Sequence, residues 1–440
     1  MNNLIRSYSY FDWYNIISDD VLTRAEELKD LGYRHYEQIE LLQSIQDFKI
    51  KHQSILYDTQ LHCPHCGKKS QRAGIRQSRF HAPLTDHRVH IQRRTCPCGW
   101  SSPYTVEGIY GSAIHPDLLE KQALQAADQS YRKASNHLNA ECAHRRSVNS
   151  VESLHKNLKK VALAVGNNKL RPVDMVPERE AAKELLVMID GGHLKTRAKD
   201  SRSFEAMITT VYRPENIRQV DKHHNKITQK TSVASALSDQ QETIKTLAKN
   251  ACIKEGASAA LTHMTCLTDG ASNCWSIAKA LKSECLSQTL LLDWFHITKR
   301  FTILNNRLNE VQQEQLERVK WHVWHGDGEI ALSRLTELMT ALADQEKAAK
   351  DALELHDYLE RNQPYLSNYQ ERHSTGLHYT STLAEVTVDC LINTRQKRSQ
   401  KMQWTREGAH DVLQIRTSLF SESWERDWSD AQAVLYKKAA

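Results

Sequence analysis

Apolar residues change their spacing several times along this 440-residue chain, and each change predicts a different kind of element. Val21, Leu22, Ala25, Leu28 and Leu31 recur three and four apart, so residues 1–58 read as helical. Residues 62–100 break that rhythm with four cysteines and a β-like stretch, Arg88-Val-His-Ile-Gln-Arg93. Helical spacing returns at His115-Pro-Asp-Leu-Leu, where Pro116 and Asp117 suit a first turn, and it holds to about Val165. From Gly166 to Pro177 the chain is turn-rich and twice interrupted by proline, which predicts a linker.

Beyond the linker, short apolar runs predict strands over 184–190, 203–213 and 231–238, then a helix over Gln240–Ile253. A fourth strand over 263–269, a helix over Ser276–Lys282 and a fifth strand over 289–295 follow. Three strands before the first helix, then alternation, is the order of an RNase H-like α/β domain. Residues 301–373 read as helical and charged with one break at His325-Gly-Asp-Gly328, and further helices are predicted after Thr382 and over Glu407–Leu419. The expected division is thus an N-terminal helical region (1–58), a cysteine-rich module (59–105), a second helical region (106–170), an α/β domain in two parts (171–300 and 374–440), and an all-α insertion (301–373).

Composition narrows the classes. No apolar run approaches the length of a membrane span, and the N-terminus lacks the apolar core of a signal peptide, so a reducing cytosol is expected. The ten cysteines then read as metal ligands or buried thiols rather than a disulfide framework. A net charge of +6 is modest, but the basic residues cluster at Arg93-Arg94, Arg145-Arg146 and 395–401, which favours a polyanionic partner. There is no phosphate-binding P-loop, and the one His-x-x-Arg, His90 to Arg93, lies between the cysteine pairs, where it gives little support to a tyrosine recombinase.

Two cysteine pairs, Cys63-Pro-His-Cys66-Gly and Cys96-Pro-Cys98-Gly, flank a hairpin-length segment. Four thiolates suit tetrahedral Zn²⁺, and a glycine after each pair permits the tight turn that presents sulfur. The second pair has one intervening residue instead of two, so His62 or His65 stands as an alternative ligand. Cys252, Cys266, Cys274, Cys285 and Cys390 lack such spacing and read as small buried hydrophobes. Cys142 and His144 fall in an expected turn between helices. Residues 130–138 and 150–160 predict a helix, a polar turn and a basic helix carrying Lys156, Lys159 and Lys160, which fits a helix-turn-helix.

Asp190 ends the first predicted strand and Asp269 the fourth, while Glu385 falls on a late helix. Carboxylates projected from distant positions onto one point are what hard divalent cations require. Each has a simpler reading. Asp-Gly after a strand is a turn signal for Asp190 and Asp269, and Thr382-Leu-Ala-Glu385 fits a capping box. Asp389, one turn on, is an alternative to Glu385. Lys195, Arg197, Lys199 and Arg202 lie beyond Asp190, and Arg395, Lys397, Arg398 and Lys401 beyond Glu385; these are either solvated faces or contacts to a phosphate backbone. Trp321 and Trp324 are expected to pack the helical insertion.

The segments MIDGGHLKTRAKDSRSFEAMITTVYRPEN, LTDGASNCW, LLLDWFHITKRF and SQKMQWTREGAHDVLQIR resemble insertion-sequence transposases of the ISKra group, which are similar in plan to Mutator-like transposases. The resemblance covers residues 184–425 and implies an RNase H-like catalytic domain with an all-α insertion. It implies Asp190, Asp269 and Glu385 as ligands of two Mg²⁺ or Mn²⁺ ions, with Asp293 and His296 of Asp293-Trp-Phe-His296 as an accessory pair. Asp293 also ends an apolar run, so it competes with Asp269 for the ligand role, and a histidine packed behind the sheet is the alternative for His296. The expected activity is binding of element ends and metal-dependent cleavage and joining of double-stranded DNA, by a homo-oligomer associated with a bacterial nucleoid in the cytoplasm. A domesticated DNA-binding protein without catalysis and a nuclease that does not join strands are the alternatives.

Overall fold

Every residue from Leu185 to Ile189 is buried, a run without a polar face that suits a strand covered on both sides. In the computed structural model, which describes residues 33–53, 61–142, 144–173, 180–219, 225–382, 387–397 and 402–436, this run lies in the central strand of a mixed α/β chain. The chain divides into two units, one built on residues 1–118 and 135–150, the other on 119–134 and 151–437.

In the smaller unit, β1 (Gln71–His81) and β2 (Asp86–Thr95) pair antiparallel as a two-stranded hairpin. From Asp86 to Ile91 buried His87, Val89 and Ile91 alternate with exposed or half-buried residues, beyond which Gln92 and Arg94 are buried as well, and Val89 and Ile91 join Val106 and Ile109 in a small core. Asp86 accepts from Arg146 and meets His81, so burial, which would raise its pKa, is outweighed and the carboxyl is lowered to about 2. Helix His35–Gln53 belongs to the same unit. The expected apolar positions from Val21 to Leu31 lie outside the described residues.

In the larger unit, β3 (Glu184–Lys195) pairs antiparallel with β4 (Ser203–Tyr212). After a minor hairpin of β5 (Ile217–Gln219) and β6 (Asn225–Ile227), which the sequence pattern missed, β7 (Thr231–Ser235) joins β4. Strands β8 (His263–Thr268) and β9 (Ser287–Leu292) add in parallel on the other side of β3, giving the order β7-β4-β3-β8-β9. Parallel pairing needs a crossover; helix Glu242–Lys254, packed on β4 and β7, and helix Ser272–Ala280, packed on β3 and β8, lie in those connections.

Three expectations need correction. Strand β3 does not end at Asp190; its pairing with β4 continues through Lys195. Neighbours crowd the strand here: a Cβ on Gly192 would lie 2.6 Å from Ile392 Cδ1 and 3.3 Å from its Cγ2, while one on Gly191 would displace the Glu205 carboxylate. The linker expected from Gly166 is helical to Leu170. Lys169 donates to Gln414 O and Thr417 Oγ1, while Asn250 Nδ2 donates to Lys169 O and Arg171 O, so distant partners hold residues whose local preference is for turns. The run expected as a fifth strand to residue 295 stops at Leu292, because Asp293 caps helix Trp294–Asn305 through Phe295 N.

Helices Glu310–Trp324, Gly328–Ala341, Glu346–Asn362 and Tyr369–Ser374 follow, with more breaks than the single one expected. The first of those breaks is set by a capping box between Asn309 and Gln312. Leu316, Val319, Leu335 and Leu355 share one continuous core with Leu267 and Leu291 of the sheet. Trp275 Nε1 donates to Asn362 Oδ1, and Tyr369 OH donates to Leu292 O, so polar contacts also join these helices to the sheet. Helix Arg406–Phe420 packs on β7 and on helix Val151–Leu170, and helix Trp424–Leu435, which the pattern missed, packs on the latter as well.

Candidate active site and metal centre

Register places three acids in one row. Ile189 of β3 pairs with Thr268 of β8, and Thr268 with Leu292 of β9. Asp190, Asp269 and Asp293 are the next residues along three adjacent parallel strands; Asp190 lies within β3, and Asp269 and Asp293 just beyond the carboxyl ends of β8 and β9, where open α/β sheets present ligand sites. Neighbouring strands lie about 4.8 Å apart, so the acids are held close by backbone pairing alone. Asp190, Asp269, Asp293 and His296 line a cleft of about 20 Å³ with Ser381 and Thr387, which is room for about one water.

The acids are not equivalent. Asp190 keeps 28% of its side chain exposed and accepts from Gly191 N at 2.7 Å. Burial raises its pKa, His296 and Gly191 N oppose that, and the charges of Asp269 and Asp293 add to the rise. Asp269 accepts from Ala271 N at 2.9 Å, and Gly270 has φ of +90°, so the turn reading of Asp269 holds alongside its place in the cleft. The Cys274 thiol beside it is pushed well above its ordinary value by burial and then by the Asp269 carboxylate, to which it donates.

Asp293 is almost wholly buried and both its oxygens are engaged. Oδ1 accepts from Phe295 N at 3.1 Å and Ser381 N at 2.9 Å, and Oδ2 accepts from Ser381 Oγ. Burial raises its pKa and these donors oppose the rise. It therefore acts as a helix cap and as a clamp on the chain near residue 381, not as an open ligand. His296 Nε2 lies 3.6 Å from Asp293 Oδ2 and 4.0 Å from Asp190 Oδ2, so the histidine bridges the clamp and the exposed acid. Ser381 is the residue that sequence reasoning missed; no motif distinguishes it from its hydroxyl-rich neighbours.

Glu385 lies outside the described residues, as do Arg398 and Lys401. The chain on both sides of Glu385 lines the cleft, through Ser381 before it and Thr387 and Val388 after it. A π-helical turn, Asp389–Asn393, follows at once. Asp389, the alternative third acid, is exposed, does not line the cleft and accepts from Asn393 Nδ2. Among the described residues the carboxylates and His296 do not bring three ligand atoms within 4.8 Å of one another.

The cysteine pairs do converge. Sγ of Cys63 lies 3.7 Å from that of Cys98, and Sγ of Cys66 lies 3.5 Å from that of Cys96. All four sulfurs lie within 4.8 Å of one another. Four sulfurs about 2.3 Å from one tetrahedral zinc would stand about 3.8 Å apart, so the donor set fits that ion. Gly67 N donates to Cys63 O and Gly99 N to Cys96 O, with φ of +70° and +92°, which is the turn each knuckle requires. The shorter second pair closes without help; neither His62 nor His65 joins the cluster.

Of the basic residues, Lys195, Arg197, Lys199 and Lys397 are exposed. Arg395 corrects the expectation of a phosphate contact. It is buried between the rings of Tyr131 and Trp404, donates twice to Ala126 O, and burial lowers its pKa to about 10. The two helices of the expected helix-turn-helix form over Tyr131–Ala140 and Val151–Leu170. The second buries Leu154, Leu158, Val161 and Val165, exposes Lys156 and Lys159, and half-exposes Lys160, with Lys156 paired to Glu152 at 2.7 Å. Trp324 packs against Trp294, as expected, whereas Trp321 is 55% exposed and stacks on His325.

No protein-family model and no curated protein matches the chain. The functional reading therefore rests on the cleft and on the resemblance carried by its motifs. No helix among the described residues is long and apolar enough to cross a membrane.

Proposed function

We propose that the chain is a metal-dependent DNA transposase similar to the ISKra group, with an RNase H-like core that cuts element ends and joins them to target DNA. The observation that carries the reading is the placement of Asp190 and Asp269 side by side where the parallel pairing of β3 and β8 ends, over a cleft lined by Ser381 before Glu385 and by Thr387 and Val388 after it. The strand order supports it: numbered within the sheet it is 3-2-1-4-5, with the first three antiparallel and the last two parallel to the first.

Asp190 and Asp269, with Glu385, would hold Mg²⁺ or Mn²⁺. Two such ions, when bound, stabilise the attacking and leaving oxygens of an in-line displacement at phosphorus. The crowding of Asp190 by two further carboxylates favours a cation there, since each negative charge raises the cost of the next. His296 brings a proton-donating ring to the mouth of the cleft. Asp293 fixes that ring and, through Ser381, the start of the chain bearing the third acid. Exposed Lys195, Arg197 and Lys397 offer charge for the phosphate backbone of duplex DNA. The four cysteines hold a structural zinc.

The test uses purified chain, duplexes taken from the DNA flanking its reading frame, and Mg²⁺ or Mn²⁺. Wild-type protein is expected to nick at an element end and to join the 3′ end to a second duplex. Asp190→Asn, Asp269→Asn and Glu385→Gln are expected to bind the duplex and neither cut nor join. Cleavage without joining would make it a nuclease, and cleavage by Asp190→Asn would remove the assignment.

A further inference from the structure

The outer face of the β1–β2 hairpin has no covering element among those described and carries a charge arrangement that costs the fold stability. Pairing places Arg79 directly opposite Arg88, Gln77 opposite His90, and Ile75 opposite Gln92. Arg79, Arg88 and Gln77 are exposed, and Ile75 is 58% exposed. The inner face, with Val89 and Ile91, is the one that reaches the small core. Like charges directly opposite on a sheet repel, and neither Arg79 nor Arg88 has an ion pair among the described residues.

The surroundings add to the repulsion. Residues 61–105 hold Lys68, Lys69 and six arginines against one acid, Asp86, and that carboxylate is already taken by Arg146 and His81. Near the cysteine end, the half-exposed Tyr104 ring has the guanidinium of Arg76 at 5.2 Å and that of Arg93 at 5.7 Å. Arg76 pairs with Ile91, so these two guanidiniums belong to the other face and add positive charge to the module rather than to the Arg79–Arg88 face.

We propose that this hairpin face, which carries Arg79, Arg88 and Gln77, is a docking surface for duplex DNA, built from residues that do not line the carboxylate cleft. A two-stranded antiparallel ribbon is one of the shapes that the major groove admits. Opposed arginines on such a ribbon reach the phosphates of the groove walls, which removes their repulsion in the bound state. Exposed Gln77, two residues from Arg79 on the same face, offers an amide to base edges. The choice of DNA as the polyanion rests on the proposed function; the existence of a cationic docking face does not.

The experiment measures binding of the full-length, zinc-loaded chain to a fluorescent duplex across a salt series, for wild type and for the double variant Arg79→Ser with Arg88→Ser. The double variant is expected to bind about tenfold more weakly near 0.1 M salt, with the slope of log affinity against log salt reduced by about two, one for each phosphate that is no longer neutralised. Its melting temperature should be equal to wild type or higher, since the opposed charges are gone. An unchanged affinity and slope would overturn the proposal, as would tighter wild-type binding to RNA or to anionic vesicles than to the duplex. Because neither arginine lines the cleft, a chain that binds duplex through this face but never cuts it would leave this surface standing while the transposase reading fails.

Discussion

Asp293 shows how much of a site turns on one buried side chain. Two backbone N–H groups and the Ser381 hydroxyl meet its carboxylate, which is otherwise sealed from water. Burial holds its folded pKa above the ordinary carboxylate value. The folded state therefore binds that proton more tightly than the unfolded chain, and stability from this group falls as pH rises through the interval between the two values. Ser381→Ala removes a donor from the ionised form and should widen the interval. We expect a loss of about 1–3 kcal/mol near neutral pH, the usual cost of stranding a buried polar group, and a smaller loss in mild acid. Thermal unfolding at the two pH values checks it; equal losses at both would mean that the hydroxyl merely packs. Under the proposed function, cleavage by Ser381→Ala should fall without loss of duplex binding, because the Asp293–Ser381 contacts restrain the chain that leads to Glu385.

At the scale of the element, apolar periodicity located all five strands of the main sheet but not their ends. The sequence near Asp190 reads as a strand followed by a turn, since Asp-Gly-Gly is rich in turn formers. It is strand because its pairing with β4 continues through Lys195, and Ile392 occupies the space that a side chain on Gly192 would need. That information lies 200 residues away for Ile392, where no local pattern can reveal it. The same holds for Arg395, whose basic run reads as surface until Tyr131, Trp404 and Ala126 are seen to enclose it. The two cysteine pairs were legible because their chemistry is local, and Asp190 and Asp269 because each directly follows an apolar run. Gly192→Ala should cost about 1–3 kcal/mol, the range for overpacking. Ile392→Val shortens the side chain that the new methyl meets, so the double variant should lose less than the two single losses combined. Chemical denaturation of all four proteins measures the coupling, and strict additivity would show that the close approach does not decide the residue.

The whole molecule is two units of unequal means. The larger has one continuous core from β3 to the helices that follow β9, whereas the smaller relies on a cluster around Val89, Ile91, Val106 and Ile109. A small core seldom suffices without a staple, and a zinc held by the four convergent sulfurs, as proposed, would be one. Metal bound by the folded form alone adds its binding free energy to folding. Removing it should therefore act on one unit and spare the other. We expect protein purified without chelator to hold about one zinc per chain. A strong chelator, or Cys98→Ser, should raise amide exchange across residues 61–105 while leaving β3, β8 and β9 protected, and calorimetry should show the early part of unfolding shifting down with the later part fixed. Two-state behaviour is not expected of such a chain. If zinc is absent, or if its removal melts the sheet and the hairpin together, then the sulfur cluster does not stabilise the smaller unit alone.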